Sequence, residues 1–328
     1  MRQSSEKYAG RKLNIFRRFG HGLRAIFLLP IVLVTEFQSF FGSQHSKFKF
    51  SIDFLNDVSN STHGRGLLWI NSIICFLKNR GKNNYFSEKD LLRSPSGVGF
   101  SKGEREEIVK KLMEDGFYKI PQFLTPQTVD EIKSEIDLIP GQALGGKFTK
   151  IGLTEWKSDP KFGPRIDVDF DILSENNLAK NIANNELMRD IANRYIGCKA
   201  LLAPICSWTT RPPLNLDKTT LSNAAMAFHA DADYFKFVKF FIILTDVTPE
   251  HGPFAYIKSS NNHPRHVAWR ISDDKALGKT DTLLLGTGKK GDLVIADTSG
   301  WHKATPPLTG TRTMVQFLFT SSLFGRTT

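Results

Sequence analysis

The chain has 328 residues, 40% hydrophobic and 23% charged, with 26 phenylalanines, which is enough apolar material for one large domain or two modest ones and excludes a disordered chain. The net charge of +11 sits in the N-terminal third: residues 1–100 carry 15 Lys+Arg against 6 Asp+Glu, and residues 101–328 carry 29 against 27. The balanced remainder has no basic stripe interleaved with aromatics, so the expected partner is not a nucleic acid.

Three cysteines, Cys75, Cys198 and Cys206, are far apart and form no CxxC pair. They argue against a disulfide framework and a zinc ribbon, and point to a reducing, cytoplasmic compartment.

In chain order, residues 1–24 are polar and basic. They lead into the ten-residue apolar run 25–34, interrupted by Pro30. A spanning helix needs roughly twenty apolar residues, and no small-residue cleavage site follows. Two readings stay open: a helix buried against the main domain, or a basic apolar segment in peripheral contact with an anionic membrane through residues 1–40. The second apolar run, 67–77, reads as a core helix. Residues 38–64 and 79–103 read as loops or linkers.

The pattern changes near residue 100, which divides the chain into a basic extension, 1–100, and a compact domain, 101–328. A helix is expected over 104–114, with Ile108, Val109, Leu112 and Met113 on one face and Gly116 as its stop. A short strand at 117–120 follows, and then a helix opened by Thr125 as N-cap and Pro126 at its first position. Residues 141–170 show little periodicity and read as a substrate-side loop. A helix is expected over 185–196, ended by Gly197. From residue 200 the chain is rich in short strands, at 200–210, 235–245, 283–285, 293–296 and 314–319. Strands of this kind between Gly, Pro and Asp turns predict an antiparallel sandwich or barrel. Gly286-Thr-Gly288-Lys-Lys-Gly291 fits GxGxxG, but a strand rather than a helix follows, so it reads as a hairpin turn and not a nucleotide site.

His229-Ala-Asp231 carries the chemistry. On an extended strand, residues i and i+2 share a face. An imidazole and a carboxylate can then reach one metal ion, and His302, after the 293–296 strand, is a candidate third ligand of a two-His, one-carboxylate Fe(II) triad with open positions, although taken alone His302 also reads as a hydrogen-bonded loop histidine and Arg312 as a surface salt-bridge arginine. Arg312, at the final strand, can grip a carboxylate bidentately. His-x-Asp alone is a weak signal; the ordered set with His302 and Arg312 is stronger. His263 and His266 read as solvated loop residues. Trp208 and Tyr234 read as core, with pocket lining as the second reading.

The segments 117–129, His229-Ala-Asp231, 240–253 and 291–302 through Arg312, in this order and approximate spacing, resemble the phytanoyl-CoA dioxygenase family over residues 104–324. The resemblance implies a mainly β, α+β fold: a double-stranded β-helix, or jelly-roll, core with flanking helices. It implies Fe(II) held by His229, Asp231 and His302, with 2-oxoglutarate as cosubstrate, its distal carboxylate on Arg312 and Thr305 as a helper. It further implies O2 consumption, release of CO2 and succinate, and hydroxylation of a small-molecule substrate. An intact Asp231 favours hydroxylation over halogenation. The chain departs from the family at Lys258-Ser-Ser-Asn-Asn-His263, where a Gly-Ser-His turn is usual. Two other functions remain open: a non-catalytic jelly-roll binding module, and a zinc-type metal-dependent hydrolase, which would not need Arg312.

Overall fold

The computed structural model describes residues 65–79, 85–144, 150–203, 205–214, 224–262 and 282–323, with scattered positions between 23 and 62. His263, His266 and most of the 25–34 run lie outside the described residues. Among the described residues, no helix is long and apolar enough to cross a membrane.

Two antiparallel sheets form the core. The larger has the order β3-β12-β9-β14-β8-β6-β4-β5, with β7 pairing β14. Its strands are β3 (Phe117–Ile120), β4 (Gly141–Ala143), β5 (Lys150–Ile151), β6 (Arg165–Val168), β7 (Leu201–Leu202), β8 (Cys206–Thr210), β9 (Phe237–Ile243), β12 (Leu293–Ala296) and β14 (Arg312–Thr320). The smaller sheet has the order β11-β10-β13, made of β10 (Phe254–Ile257), β11 (Leu283–Gly286) and β13 (His302–Ala304). A two-stranded hairpin, β1 (Leu91–Arg93) and β2 (Gly99–Ser101), precedes them.

Every residue of β9 and β14 is buried, the polar Lys239, Arg312, Thr313, Gln316 and Thr320 included, and alternation decides which layer each side chain joins. Val238, Phe240, Ile242, Val315 and Phe317 face the helices. Phe241, Ile243, Val294 and Met314 face inward and meet Phe254 and Tyr256 of the small sheet. This two-sheet sandwich with helices on one outer face is the expected jelly roll. Each fully buried Phe contributes about 1.5–3 kcal/mol of transfer free energy.

The helices form where capping residues and apolar spacing coincide. α1 spans Arg65–Asn79, α2 Lys102–Asp115, α3 Pro126–Leu138 and α4 Glu186–Ile196. Ser101 and Glu104 close a capping box on α2, and Gly116 (φ 75) ends it. Ile108, Val109 and Leu112 of α2 are buried, whereas Met113, expected on the same face, is exposed. Thr125 caps α3 ahead of Pro126. Gly197 (φ 96) ends α4. Only glycine accepts such left-handed angles at little cost.

Four further expectations change. The stretch 79–103 is not all linker: it contains the hairpin β1–β2. Residues 141–170 are not one loop, because β4, β5, a helix at Leu153–Ser158 and β6 extend the large sheet there. Their strands are too short for periodicity to register. The GxGxxG segment is no hairpin: β11 pairs β10 and β12 pairs β3 and β9, so the segment crosses from the small sheet to the large one. Cys75 and Cys198 are not far apart in space, since their sulfurs lie 2.8 Å apart where α1 meets the end of α4.

Packing crosses residue 100. β2 runs into α2 through Ser101, and α1 docks through Asn71 Nδ2, which donates to Ile196 O (3.4 Å). The buried Arg105 of α2 pairs with Asp190 of α4 at 2.8 Å, and Asp190 also accepts from Ser87 N at 2.7 Å.

Candidate metal centre

The strand 293–296 ends at Asp297, which starts a tight turn: Gly300 N donates to Asp297 O (3.0 Å) and Ser299 N to Asp297 Oδ1 (3.0 Å). Tyr256 Oη donates to Asp297 O (2.9 Å), and Tyr195 Oη to its carboxylate at Oδ2 (2.5 Å). A Cβ at Gly300 would sit 2.1 Å from Tyr256 Oη, so the turn needs glycine there. This turn delivers His302 to the first position of β13, opposite Tyr256 of β10.

His229 adds to the other edge of β13. It lies in no named strand, which corrects the expectation of a continuous extended segment; its backbone forms an isolated antiparallel bridge with His302. His229 N donates to His302 O and His302 N to His229 O, both at 2.9 Å. Asp231 N donates to Thr298 O at 2.8 Å, so the second ligand candidate is fixed against the Asp297 turn.

The two imidazoles are oriented alike. His229 Nδ1 lies 2.8 Å from Ala227 O and His302 Nδ1 lies 2.9 Å from Gly300 O. A carbonyl only accepts, so Nδ1 carries the proton in each ring and Nε2 keeps its lone pair for a metal. His229 Nε2 is 3.8 Å from Asp231 Oδ1, and His302 Nε2 is 3.4 Å from Asp231 Oδ2. One ligand atom from each of His229, Asp231 and His302 lies within 4.8 Å of the others. Nitrogen and oxygen ligands stand about 2.0–2.2 Å from a metal of this kind, so one ion can reach all three.

Electrostatics favour the metal-ready protonation states. Burial, and then the neighbouring His302, push His229 down to about 4. Burial alone would raise Asp231, but the neighbouring Lys239 ammonium opposes it and holds the carboxyl well below its ordinary range. Lys239, in β9, is ion-paired to Asp231 Oδ2 at 2.7 Å and to Asp233 Oδ2 at 2.8 Å. Burial would lower Lys239, yet the two carboxylates raise it above its ordinary value.

Arg312 opens β14 and is 1% exposed. By alternation it shares the inward face with Met314. Its Nε and Nη1 are buried and have no hydrogen-bond partner among the described residues, and the same holds for Trp208 Nε1 on adjacent β8. Burial, and then Arg165, push Arg312 down to about 9. Arg165 sits in the same cross-strand row through Thr210 and is occupied by Asp167, to which its Nε donates at 2.7 Å. A buried cation with two unused donors is costly unless an anion completes it. Arg312 Nε and Nη1 can therefore take an anion. Thr305 follows β13, half-buried, and its N donates to Pro253 O at 3.0 Å.

His229, Asp231 and His302 therefore converge, and Arg312 lies on the same inner wall. Lys239, Asp233 and Trp208 were not singled out as site residues from the sequence. One signal was present: Lys239 is the lone charge in the otherwise apolar strand Phe237–Ile243.

A sequence profile described as phytanoyl-CoA dioxygenase (PhyH) matches residues 112–314. No curated protein matches the chain. Similar solved structures include HygX from Streptomyces hygroscopicus with nickel and 2-oxoglutarate bound, which is 17% identical, covering 65% of this chain and 86% of that one at a TM-score of 0.44. Another is the non-haem α-ketoglutarate-dependent epimerase SnoN from nogalamycin biosynthesis: 14% identical, 66% and 83% covered, TM-score 0.49. A third is EvdO2 from Micromonospora carbonacea var. aurantiaca: 14% identical, 65% and 89% covered, TM-score 0.46.

Proposed function

This chain belongs to the phytanoyl-CoA dioxygenase family, and from that premise we propose that it hydroxylates a small molecule, with Fe(II) at His229, Asp231 and His302 and 2-oxoglutarate anchored by Arg312. The family is one of Fe(II)- and 2-oxoglutarate-dependent oxygenases, and the chain is an oxygenase of that type. The observation that carries the finer reading is the matched pair of imidazoles, each with Nδ1 donating to the carbonyl two residues before it and Nε2 turned toward Asp231.

Bound there, the metal supplies O2 activation coupled to oxidative decarboxylation of 2-oxoglutarate. The balance is one O2, one 2-oxoglutarate and one C–H bond giving succinate, CO2 and one C–OH bond. The protein's part is positioning. His229 and His302 present neutral nitrogens, and Asp231 presents a carboxylate kept ionised by Lys239. Arg312 and the Trp208 N–H offer unused donors to the distal carboxylate, and the family resemblance adds Thr305 as a helper. The three protein ligands leave the remaining coordination positions to small molecules.

The experiment is uncoupled turnover of 2-oxoglutarate to succinate under air, with and without Fe(II), in wild type and His229→Ala. Iron-dependent succinate that disappears in the variant is expected; iron-independent turnover, or turnover untouched by the substitution, would sink the reading. A zinc-type hydrolase has no use for the buried Arg312 donors, and a binding module has no use for the ionised ligand set.

The N-terminal extension supports a second activity, peripheral contact with an anionic membrane. α1 buries Leu67, Ile70 and Ile74 but leaves Trp69 58% and Phe76 60% exposed. Ile26, beside the same small core, is 66% exposed. Exposed aromatics next to a basic segment suit an interface of anionic lipid. Removal of residues 1–40 should release the protein from phosphatidylserine vesicles; equal binding of both forms would end the idea.

A further inference from the structure

Lys239 is the one charged residue of β9, and its ammonium is 7% exposed. Register places it between Ala296 of β12 and Leu318 of β14, on the inward face beside the proposed metal ligands. It makes two contacts: Asp231 Oδ2 at 2.7 Å and Asp233 Oδ2 at 2.8 Å. Asp233 is itself buried, so two carboxylates two residues apart share one buried cation. Asp233 does not join the cluster that can converge on one ion.

We propose that Lys239 is a positioning residue of the metal centre that holds Asp231 as a single-oxygen ligand and keeps Asp233 out of the coordination sphere. The proposal rests on the oxygenase reading and concerns which residue fixes the Asp231 carboxylate, a point that reading leaves open.

The argument is one of occupancy and charge. A carboxylate with both oxygens free can chelate a metal through two positions. A charge-assisted hydrogen bond on Oδ2 makes that oxygen the poorer donor and leaves Oδ1 for the ion. Asp233 is a competent ligand by chemistry, two residues from Asp231, and its pairing with Lys239 at 2.8 Å opposes a move toward the ion. A site that took a second oxygen of Asp231, or one of Asp233, would lose a coordination position that 2-oxoglutarate needs to chelate. The ammonium also cancels one of the two negative charges, so a dianionic cosubstrate enters a site that is less negative. A structural ion pair alone would need only one of the two carboxylates; bridging both ties the proposed ligand to its nearest competitor.

The test uses full-length protein loaded anaerobically with Co(II), whose visible d–d spectrum reports coordination number. 2-Oxoglutarate affinity is read from the change in that spectrum. Lys239→Met keeps side-chain length and removes the charge. It should alter the Co(II) spectrum and weaken 2-oxoglutarate binding at least tenfold. Asp233→Asn added to Lys239→Met should restore part of both, and Lys239→Arg should stay close to wild type. Asp233→Asn alone should keep the wild-type spectrum, and it keeps the proposal testable if Lys239→Met does not fold. A wild-type spectrum and cosubstrate affinity in folded Lys239→Met would overturn the proposal and leave the oxygenase reading intact. Loss of metal binding in Asp233→Asn would overturn it too, by making Asp233 a ligand. A wild-type protein that takes up no Co(II) would remove the metal centre itself, and this assignment with it.

Discussion

His229 and His302 are far apart in sequence, yet they exchange both backbone hydrogen bonds at 2.9 Å, and their ring centres lie 4.3 Å apart. The bridge ties the metal geometry to the edge of the small sheet, so the two imidazoles cannot drift independently. Replacing either ring by alanine removes one ligand and leaves the bridge. The expected outcome is Co(II) affinity reduced at least 100-fold in anaerobic titration, with little change in far-UV circular dichroism. Retained affinity in both variants would show that the ion binds elsewhere.

Arg312 makes a two-sided prediction. Its Nε and Nη1 lack partners among the described residues, so Arg312→Met should stabilise the cosubstrate-free protein, by about 1–4 kcal/mol if it behaves like other buried ionic groups replaced by apolar ones of similar size. The same change should abolish the rise in Tm that 2-oxoglutarate gives wild type. Differential scanning fluorimetry with and without cosubstrate reads both effects. A variant still stabilised by 2-oxoglutarate would place its carboxylate elsewhere.

His229 sets an acid dependence. Its folded-state value of about 4 lies below the ordinary 6.5. Between these values the unfolded chain binds more protons than the folded one. The contribution of neutral His229 is therefore complete above about 6.5 and is lost as pH falls toward 4. Metal-free wild type should lose Tm over that window, and His229→Asn should lose less. Equal slopes for the two proteins would contradict the assignment.

Arg105 and Asp190 are a control away from the chemistry. The pair is 2.8 Å apart with side chains 0% and 1% exposed, and it joins α2 to α4. Asp190→Asn leaves a buried guanidinium short of its counter-charge and should cost about 3–5 kcal/mol in urea unfolding. Metal affinity of the folded fraction should not change. A stability loss below about 1 kcal/mol would mean that the carbonyls of Phe100 and Lys89, which already accept from Arg105 at 2.9 and 2.8 Å, satisfy the guanidinium without Asp190.

The helices α2, α3 and α4 were legible because their ends carry local chemistry: Ser101 with Glu104, Thr125 with Pro126, and the glycines at 116 and 197. The sheet was legible as strands but not as pairings. Nothing local says that β11 joins β10 while β12 joins β9, because strand partners are chosen across the fold. β4, β5 and β6 were missed, since segments of two to four residues contain too little alternation to register. The contact of Cys75 with Cys198 was missed for the same reason as the Arg105–Asp190 pair: both depend on how helices pack.

By itself the sequence determined the donor inventory and its order: His229 and Asp231 two apart, His302 after a glycine turn, and Arg312 at the head of the last strand. Those features are chemical, and residue type and spacing carry them. The tertiary structure decided what each donor does. It gave His229 its backbone bridge to His302 in place of the expected strand, turned both Nε2 atoms toward Asp231, left Arg312 Nε and Nη1 buried without a hydrogen-bond partner among the described residues, and set Lys239 between two carboxylates. Those outcomes depend on sheet register and on the removal of water from around charged groups. Both arise only when distant segments pack, and no local pattern encodes them.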